Sequence, residues 1–177
     1  MIAVASTKRV LITGASRGIG LELAKYYKAQ GWHVIAAVRN PAAATELHKL
    51  SQERIVALDV ADERPLPRPP PPPTLLTKED LMRQFEVNSV GPLLVARAFL
   101  PNLELAAGMR KHAISAYISS KMGSIEANVD GGGYCYLASK TAVNSLVKSL
   151  SIELGPRGIS TVLLHPGYVQ TDMNDQG

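Results

Sequence analysis

The sequence predicts an α/β fold built on a parallel sheet. Short apolar runs alternate with helical segments from residue 9 to residue 59, and the first run ends in a glycine-rich turn that opens a helix. The same alternation returns between residues 78 and 164.

Arg9–Thr13 is the first strand, stopped by Gly14. From Gly18 to Gln30, apolar residues at Ile19, Leu21, Leu23, Ala24 and Tyr27 follow helical spacing, and Gly31 ends that helix. His33–Val38 reads as a second buried strand, Pro41–Leu50 as a helix and Arg54–Leu58 as a third strand. Residues 61–76 then hold seven prolines, which have no N–H for a ladder or helix, so this insert is expected to be irregular or polyproline II. Helical periodicity resumes from Lys78 to Leu103, a strand follows at Ala113–Ser119, and a long helix runs from Tyr134 to Leu154. In that helix Ala138, Ala142, Leu146 and Leu150 form an apolar row at i, i+4 spacing. Gly155-Pro156 stops it, and Ile159–Leu164 is the last buried strand.

At 177 residues and 46% hydrophobic composition the chain suits a single domain, residues 1–177. Its formal charge is +4, but the 19 basic residues are scattered in nothing larger than pairs such as Lys8-Arg9, so no nucleic-acid-binding face is expected. Cys135 is the only cysteine, which excludes an internal disulfide and a cysteine-built metal site and suits a reducing, cytoplasmic setting. No metal site is expected. The first residues lack the apolar core and cleavage site of a signal peptide, and no apolar run reaches the roughly 18 residues of a membrane span, so neither leader nor membrane is expected.

The chemistry starts at Thr13-Gly-Ala-Ser-Arg-Gly-Ile-Gly20, placed after the first strand and at the start of the first helix. Glycines there allow a tight turn and close backbone approach, so a pyrophosphate can meet the positive end of the helix. Further on, Tyr136 and Lys140 lie one helical turn apart and share a face. A free phenol ionises at about pH 10, and a neighbouring ammonium favours its anion, which gives such a pair a proton-transfer use. Taken alone, such a pair is ordinarily a packed ring beside a solvated charge. Tyr134 lies off the face of Lys140, and Cys135 and His165 have no partner constellation, so all three read as structural.

Together these segments resemble the short-chain dehydrogenase/reductase family. Thr13-Gly-x3-Gly-x-Gly20 is similar to its cofactor fingerprint, Tyr136-x3-Lys140 to its Tyr-x3-Lys, Ser119-Ser120 to its serine, Asn88-Ser-Val-Gly91 to its Asn-x-x-Gly, and Pro166-Gly167 with Thr171 to its nicotinamide-side loop. Gly-Ser-Ile at 123–125 and Gly-Gly-Gly-Tyr at 131–134 resemble its C-factor and Sniffer-like carbonyl reductase branch. The resemblance covers residues 8–60 and 77–173 and implies a Rossmann-like doubly wound sheet.

It further implies that Tyr136 protonates a carbonyl oxygen as hydride arrives from the nicotinamide, that Lys140 tunes Tyr136 and holds the ribose, and that Ser120 hydrogen-bonds the same oxygen. Asn88 would hold a water linking Lys140 to solvent. Cofactor contacts are implied for Gly14, Ser16, Arg17, Gly18, Ile19, Gly20, Arg39, Asp59, Asn88, Tyr136, Lys140, Pro166, Gly167, Val169 and Thr171, with Asp59 at the adenine. Arg39 stands where dinucleotide sites that read a 2′-phosphate place arginine, and nothing acidic lies at 36–40, so NADP(H) is expected over NAD(H).

The family has a further helix and a central strand between the positions of Asp59 and Asn88, and a substrate-covering segment and final strand after Thr171. Counterparts to these are not found here, so the sheet is expected to be incomplete. Either a gap opens in it, or the strand at 113–119 pairs directly with the first.

Three functions are therefore weighed: an NADPH-dependent carbonyl reductase acting on a ketone, aldehyde or quinone; a non-catalytic relative that retains dinucleotide binding or an interaction surface; and an SH3-type ligand at Arg64-Pro-Leu-Pro-Arg-Pro-Pro70, where a spacer is the plainer reading. Homodimerisation through the two long helices is a family expectation.

Overall fold

A computed structural model describes residues 8–50, 54–60 and 73–170. Arg64–Pro70, most of the proline-rich insert and Thr171 lie outside the described residues.

The described chain groups into two compact units, one within Met1–Asp59 and Tyr168–Gly177 and the other within Val60–Gly167. In the first, β1 (Arg9–Thr13), α1 (Gly18–Ala29), β2 (His33–Val38), α2 (Thr45–Lys49) and β3 (Arg54–Ala57) form a three-stranded parallel sheet in the order β1-β2-β3. Ile12 pairs with Ala36, and Ala36 with Ile55. The expected helix over 41–50 begins instead as a 3₁₀ turn, Pro41–Ala43, whose Asn40 side chain accepts from the Ala43 N–H. Proline, with its φ fixed at about −65°, suits the first position of that turn. Buried Ile12, Leu21, Ala24, Val34, Val38 and Leu47 make the core between sheet and helices.

The second unit is built from α3 (Lys78–Phe85), a π-helical turn at Glu86–Val90, α4 (Gly91–Arg110), β4 (Ala113–Ile118), α5 (Tyr134–Leu154) and β5 (Ile159–Leu164). Thr77 and Asp80 close a capping box at the head of α3, satisfying two of its orphan N–H groups. Among the described residues β4 pairs in parallel with β5 alone, Ala113 with Ile159 through Ile118 with Leu164. The sheets are small, as expected of a doubly wound fold without its central strand.

One face of β4 and β5 is covered by α4 and α5 through Tyr117, Val143, Val147, Leu154 and Ile159. The apolar row Ala138, Ala142, Leu146 and Leu150 is the partly exposed flank of α5, and its buried stripe holds Leu137, Ser139, Lys140, Val143, Val147 and Leu154. The buried stripe carries Ser139 and Lys140 among its apolar residues, so an apolar row alone does not mark the centre of the buried face. The opposite sheet face leaves Ile114, Ile118, Val162 and Leu164 exposed.

Lys78–Arg110 is the helical stretch among the described residues long and apolar enough to cross a membrane by length and composition, with mean hydropathy 1.2 over 18 residues and 17% of that window buried. No unbroken apolar run of this length is visible in the sequence, because Arg97 and Glu104 interrupt it.

Candidate functional site

Two sets of expected residues are placed, one in each unit. In the first, the turn between β1 and α1 holds Gly14 at φ +64° and Gly18 at φ +53°, a region that costs a side-chain-bearing residue strain. A Cβ on Gly20 would overlap the Gly14 carbonyl, whose carbon would lie only 2.8 Å away. Backbone meets backbone there, so Gly20→Ala is expected to cost about 1–3 kcal/mol of stability, read as a lowered melting temperature. An unchanged melting temperature would show that the turn can yield.

Arg17 occupies the N-cap of α1 in extended conformation, and no side chain caps the helix. The first-turn N–H groups at Gly18, Ile19 and Gly20 are thus open to an anion at the positive end of a 12-residue helix. Beside them is a cavity of about 460 Å³ lined by Ser16, Arg17, Gly18, Leu21, Glu46 and Val169 among others. Glu46 is paired with Lys49 at 2.6 Å, and this hydrogen bond and charge hold its carboxyl below the ordinary range. Arg39, directly after β2, and Asp59, closing the unit, are both exposed. A cradle that only glycine fits, an open helix terminus and adjoining arginine suit the pyrophosphate and phosphate groups of a dinucleotide.

The second unit holds Asn88, Ser120, Tyr136 and Lys140. Lys140 is 7% exposed. Its ammonium donates to the Ile118 carbonyl at the end of β4, 3.0 Å away, and lies 5.5 Å from the centre of the Tyr136 ring. Burial pulls its pKa below the ordinary 10.5. Tyr136 is half-buried, one turn before it on α5.

Asn88 sits in the π-helical turn, a distortion often found at functional positions. Its Nδ2 donates to Gln84 Oε1 at 2.7 Å and to Ser139 Oγ at 3.0 Å. Ser139 Oγ donates to the Tyr136 carbonyl at 2.8 Å, and Ser89 Oγ donates to the Ser139 carbonyl at 2.8 Å. Ser139, Ser89 and Gln84 are all buried, so this chain of bonds satisfies groups that would otherwise be desolvated without partners. It anchors the turn carrying Asn88 to the turn of α5 carrying Tyr136 and Lys140.

The two serines differ. Ser119 is buried and spends its hydroxyl hydrogen on Asn144 Oδ1 at 2.6 Å, whereas partly exposed Ser120 accepts from the Met122 N–H at 3.2 Å and keeps its own hydrogen to donate. Cys135 has its thiol pKa pushed up, first by burial and then by Asp80. Pro166 and Gly167 are exposed after β5, Gly167 at φ +74°.

Sequence reading missed Gln84, Ser89, Ser139 and Asn144. Asn144 carried a signal, standing at i+4 from Lys140 on the Tyr136 face.

The family model described as short chain dehydrogenase matches residues 8–68 and 70–177. C-signal of Myxococcus xanthus is 51% identical over 94 residues, 53% of this chain and 54% of that protein. Retinol dehydrogenase 5 of Mus musculus is 28% identical over 198 residues, covering 97% of this chain and 59% of the mouse protein. The chain thus spans little more than half the length of these curated relatives. Among solved structures, the carbonyl reductase Sniffer of D. melanogaster superposes with TM-score 0.84 at 30% identity, covering 94% of this chain and 83% of that one. An NADPH-bound carbonyl reductase from chicken fatty liver gives TM-score 0.83 at 31% identity, over 94% and 82%.

Proposed function

The chain belongs to the short-chain dehydrogenase family, and from that membership we propose that it is an NADPH-dependent oxidoreductase reducing a ketone, aldehyde or quinone to the alcohol. The observation that carries this reading is the buried Lys140 ammonium beside Tyr136 on α5, held by the Ile118 carbonyl. The pair puts a buried amine and a phenol ring side by side on one helix face, the arrangement that proton transfer at Tyr136 requires in this reading. The NADPH-bound chicken carbonyl reductase supports the choice of cofactor and reaction.

In this reading Gly14, Ser16, Arg17, Gly18, Ile19 and Gly20 hold the pyrophosphate side of the dinucleotide, Arg39 the 2′-phosphate and Asp59 the adenine. Pro166, Gly167, Val169 and Thr171 serve its nicotinamide end. NADPH held by these residues would supply hydride to the carbonyl carbon. Tyr136 gives its hydroxyl proton to the carbonyl oxygen, Ser120 donates a hydrogen bond to that oxygen, and Lys140 stabilises the phenol oxygen left behind. Asn88, fixed by Gln84 and Ser139, holds a water through which the proton is replaced. The reductase is placed in the cytoplasm, a setting that the lone Cys135 suits. Leu105, Met109 and Ile152, exposed on α4 and α5, suit a homodimer through these helices.

A second reading, a non-catalytic relative that keeps dinucleotide binding or offers an interaction surface, is favoured on the latter count by the exposed sheet face of Ile114, Ile118, Val162 and Leu164. Turnover separates the two: consumption of NADPH with a panel of carbonyl compounds supports the reductase, and binding without consumption supports the alternative.

Cofactor choice has its own test. A charge-assisted hydrogen bond contributes about 1.5–3 kcal/mol, so Arg39→Asp is expected to lower the preference for NADPH over NADH by roughly 10- to 100-fold. An unchanged ratio of the two dissociation constants would remove Arg39 from the phosphate site.

A further inference from the structure

The turn that carries Ser120 is tied to α5 at both ends, and the Asn144 side chain takes part in both ties, joined at one of them by Thr141. Ser119 Oγ donates to Asn144 Oδ1 at 2.6 Å, and Asn144 Nδ2 donates to the Gly123 carbonyl at 3.3 Å. Thr141 Oγ1 reaches the same carbonyl at 3.0 Å. Inside the turn, the Gly123 N–H donates to the Ser120 carbonyl at 3.0 Å and the Met122 N–H to Ser120 Oγ at 3.2 Å. A Cβ on Gly123 would lie 2.8 Å from both the Lys140 carbonyl oxygen and Asn144 Nδ2, so the turn's backbone rests directly on α5.

We propose that Asn144 is a positioning residue, whose carboxamide clamps residues 119 and 123 onto α5 and so sets the Ser120 hydroxyl relative to Tyr136 and Lys140. This rests on the reductase reading. A carboxamide suits the task because one end must accept from a hydroxyl while the other donates to a carbonyl. A carboxylate at position 144 could accept from Ser119 but would set negative charge against the Gly123 carbonyl. Asn144, Lys140 and Tyr136 follow one another at i+4 spacing, so a shift of the turn alters the serine's distance to both. Misplacement of a reacting group by about 1 Å can cost on the order of 100-fold in rate.

The test is a double-mutant cycle on carbonyl reduction with Ser120→Ala, Asn144→Ala and the two combined. Asn144→Ala is expected to lower kcat at least tenfold with an unchanged NADPH dissociation constant, and to cost little more once Ser120 is already alanine. Losses that multiply in the double variant would overturn the proposal. Asn144→Asp, close in volume, is expected to reproduce the kcat loss should the alanine variant fold poorly. Hydrogen exchange gives a readout that needs no turnover: the Met122 and Gly123 amides should exchange at least tenfold faster in Asn144→Ala. Unchanged exchange there overturns the clamp. A wild-type protein without turnover sinks the reductase reading instead, and leaves exchange to decide the clamp.

Discussion

Replacing Tyr136 with phenylalanine is expected to lower kcat for carbonyl reduction by roughly 10²- to 10⁴-fold, the range of a positioned general acid. NADPH binding and melting temperature should stay close to those of wild type. The substitution removes one oxygen from a half-buried ring and leaves the ring beside the Lys140 ammonium. The bond that fixes this turn of α5 to Ser139 is made by the Tyr136 backbone carbonyl, so it survives the change. Loss of turnover with intact binding would therefore report the proton donor. Steady-state kinetics on the carbonyl panel, with NADPH titration and thermal melting beside it, makes the measurement, and full retention of kcat would exclude Tyr136 as the acid.

Lys140→Met is expected to remove turnover to a similar degree and to leave a pH-dependent mark on stability. Burial depresses the folded-state pKa of Lys140 below 10.5, the value of an exposed lysine. Folding therefore disfavours its charged form. The penalty is fully present below the depressed pKa and declines as the pH rises from there toward 10.5, where the unfolded chain also releases the proton. Wild type should gain stability relative to Lys140→Met across that window, by about 1.4 kcal/mol for each unit of depression. Methionine fills similar apolar volume but leaves the Ile118 carbonyl without this donor, a loss that does not vary with pH in the same way. Denaturant unfolding of both proteins over a series of alkaline pH values reads the difference. A difference constant with pH would mean that Lys140 is not desolvated as described.

Much of the first unit could be read from the sequence because its requirements are local. Gly14 and Gly18 take positive φ, and Gly20 has backbone against it, so the spacing of glycines after a strand already states the turn. Spacing at i, i+4 puts Tyr136 and Lys140 on one face, but their match to the family's Tyr-x3-Lys is what set them apart from an ordinary packed ring and solvated charge. The supporting bonds were not legible. Asn88 meets Ser139 across 51 residues, Ser89 meets Ser139 across 50, and Ser119 meets Asn144 across 25, and no local spacing encodes such pairs. The π-helical turn was hidden because α3, the turn and α4 share one continuous helical pattern. The fine alignment of α5 was hidden as well, because leucines and valines flank each other around its surface. Strand pairing in the second unit was left open between two outcomes, since an apolar run shows that a strand is buried without naming its neighbour.

The account stands or falls on hydride use. NADPH consumption by the purified wild-type chain, followed with a panel of ketones, aldehydes and quinones, measures it most directly. The expected result is carbonyl-dependent oxidation, with one alcohol formed per NADPH consumed and none above background in Tyr136→Phe. Tight NADPH binding without turnover of any carbonyl would contradict it and leave a dinucleotide-binding protein in its place.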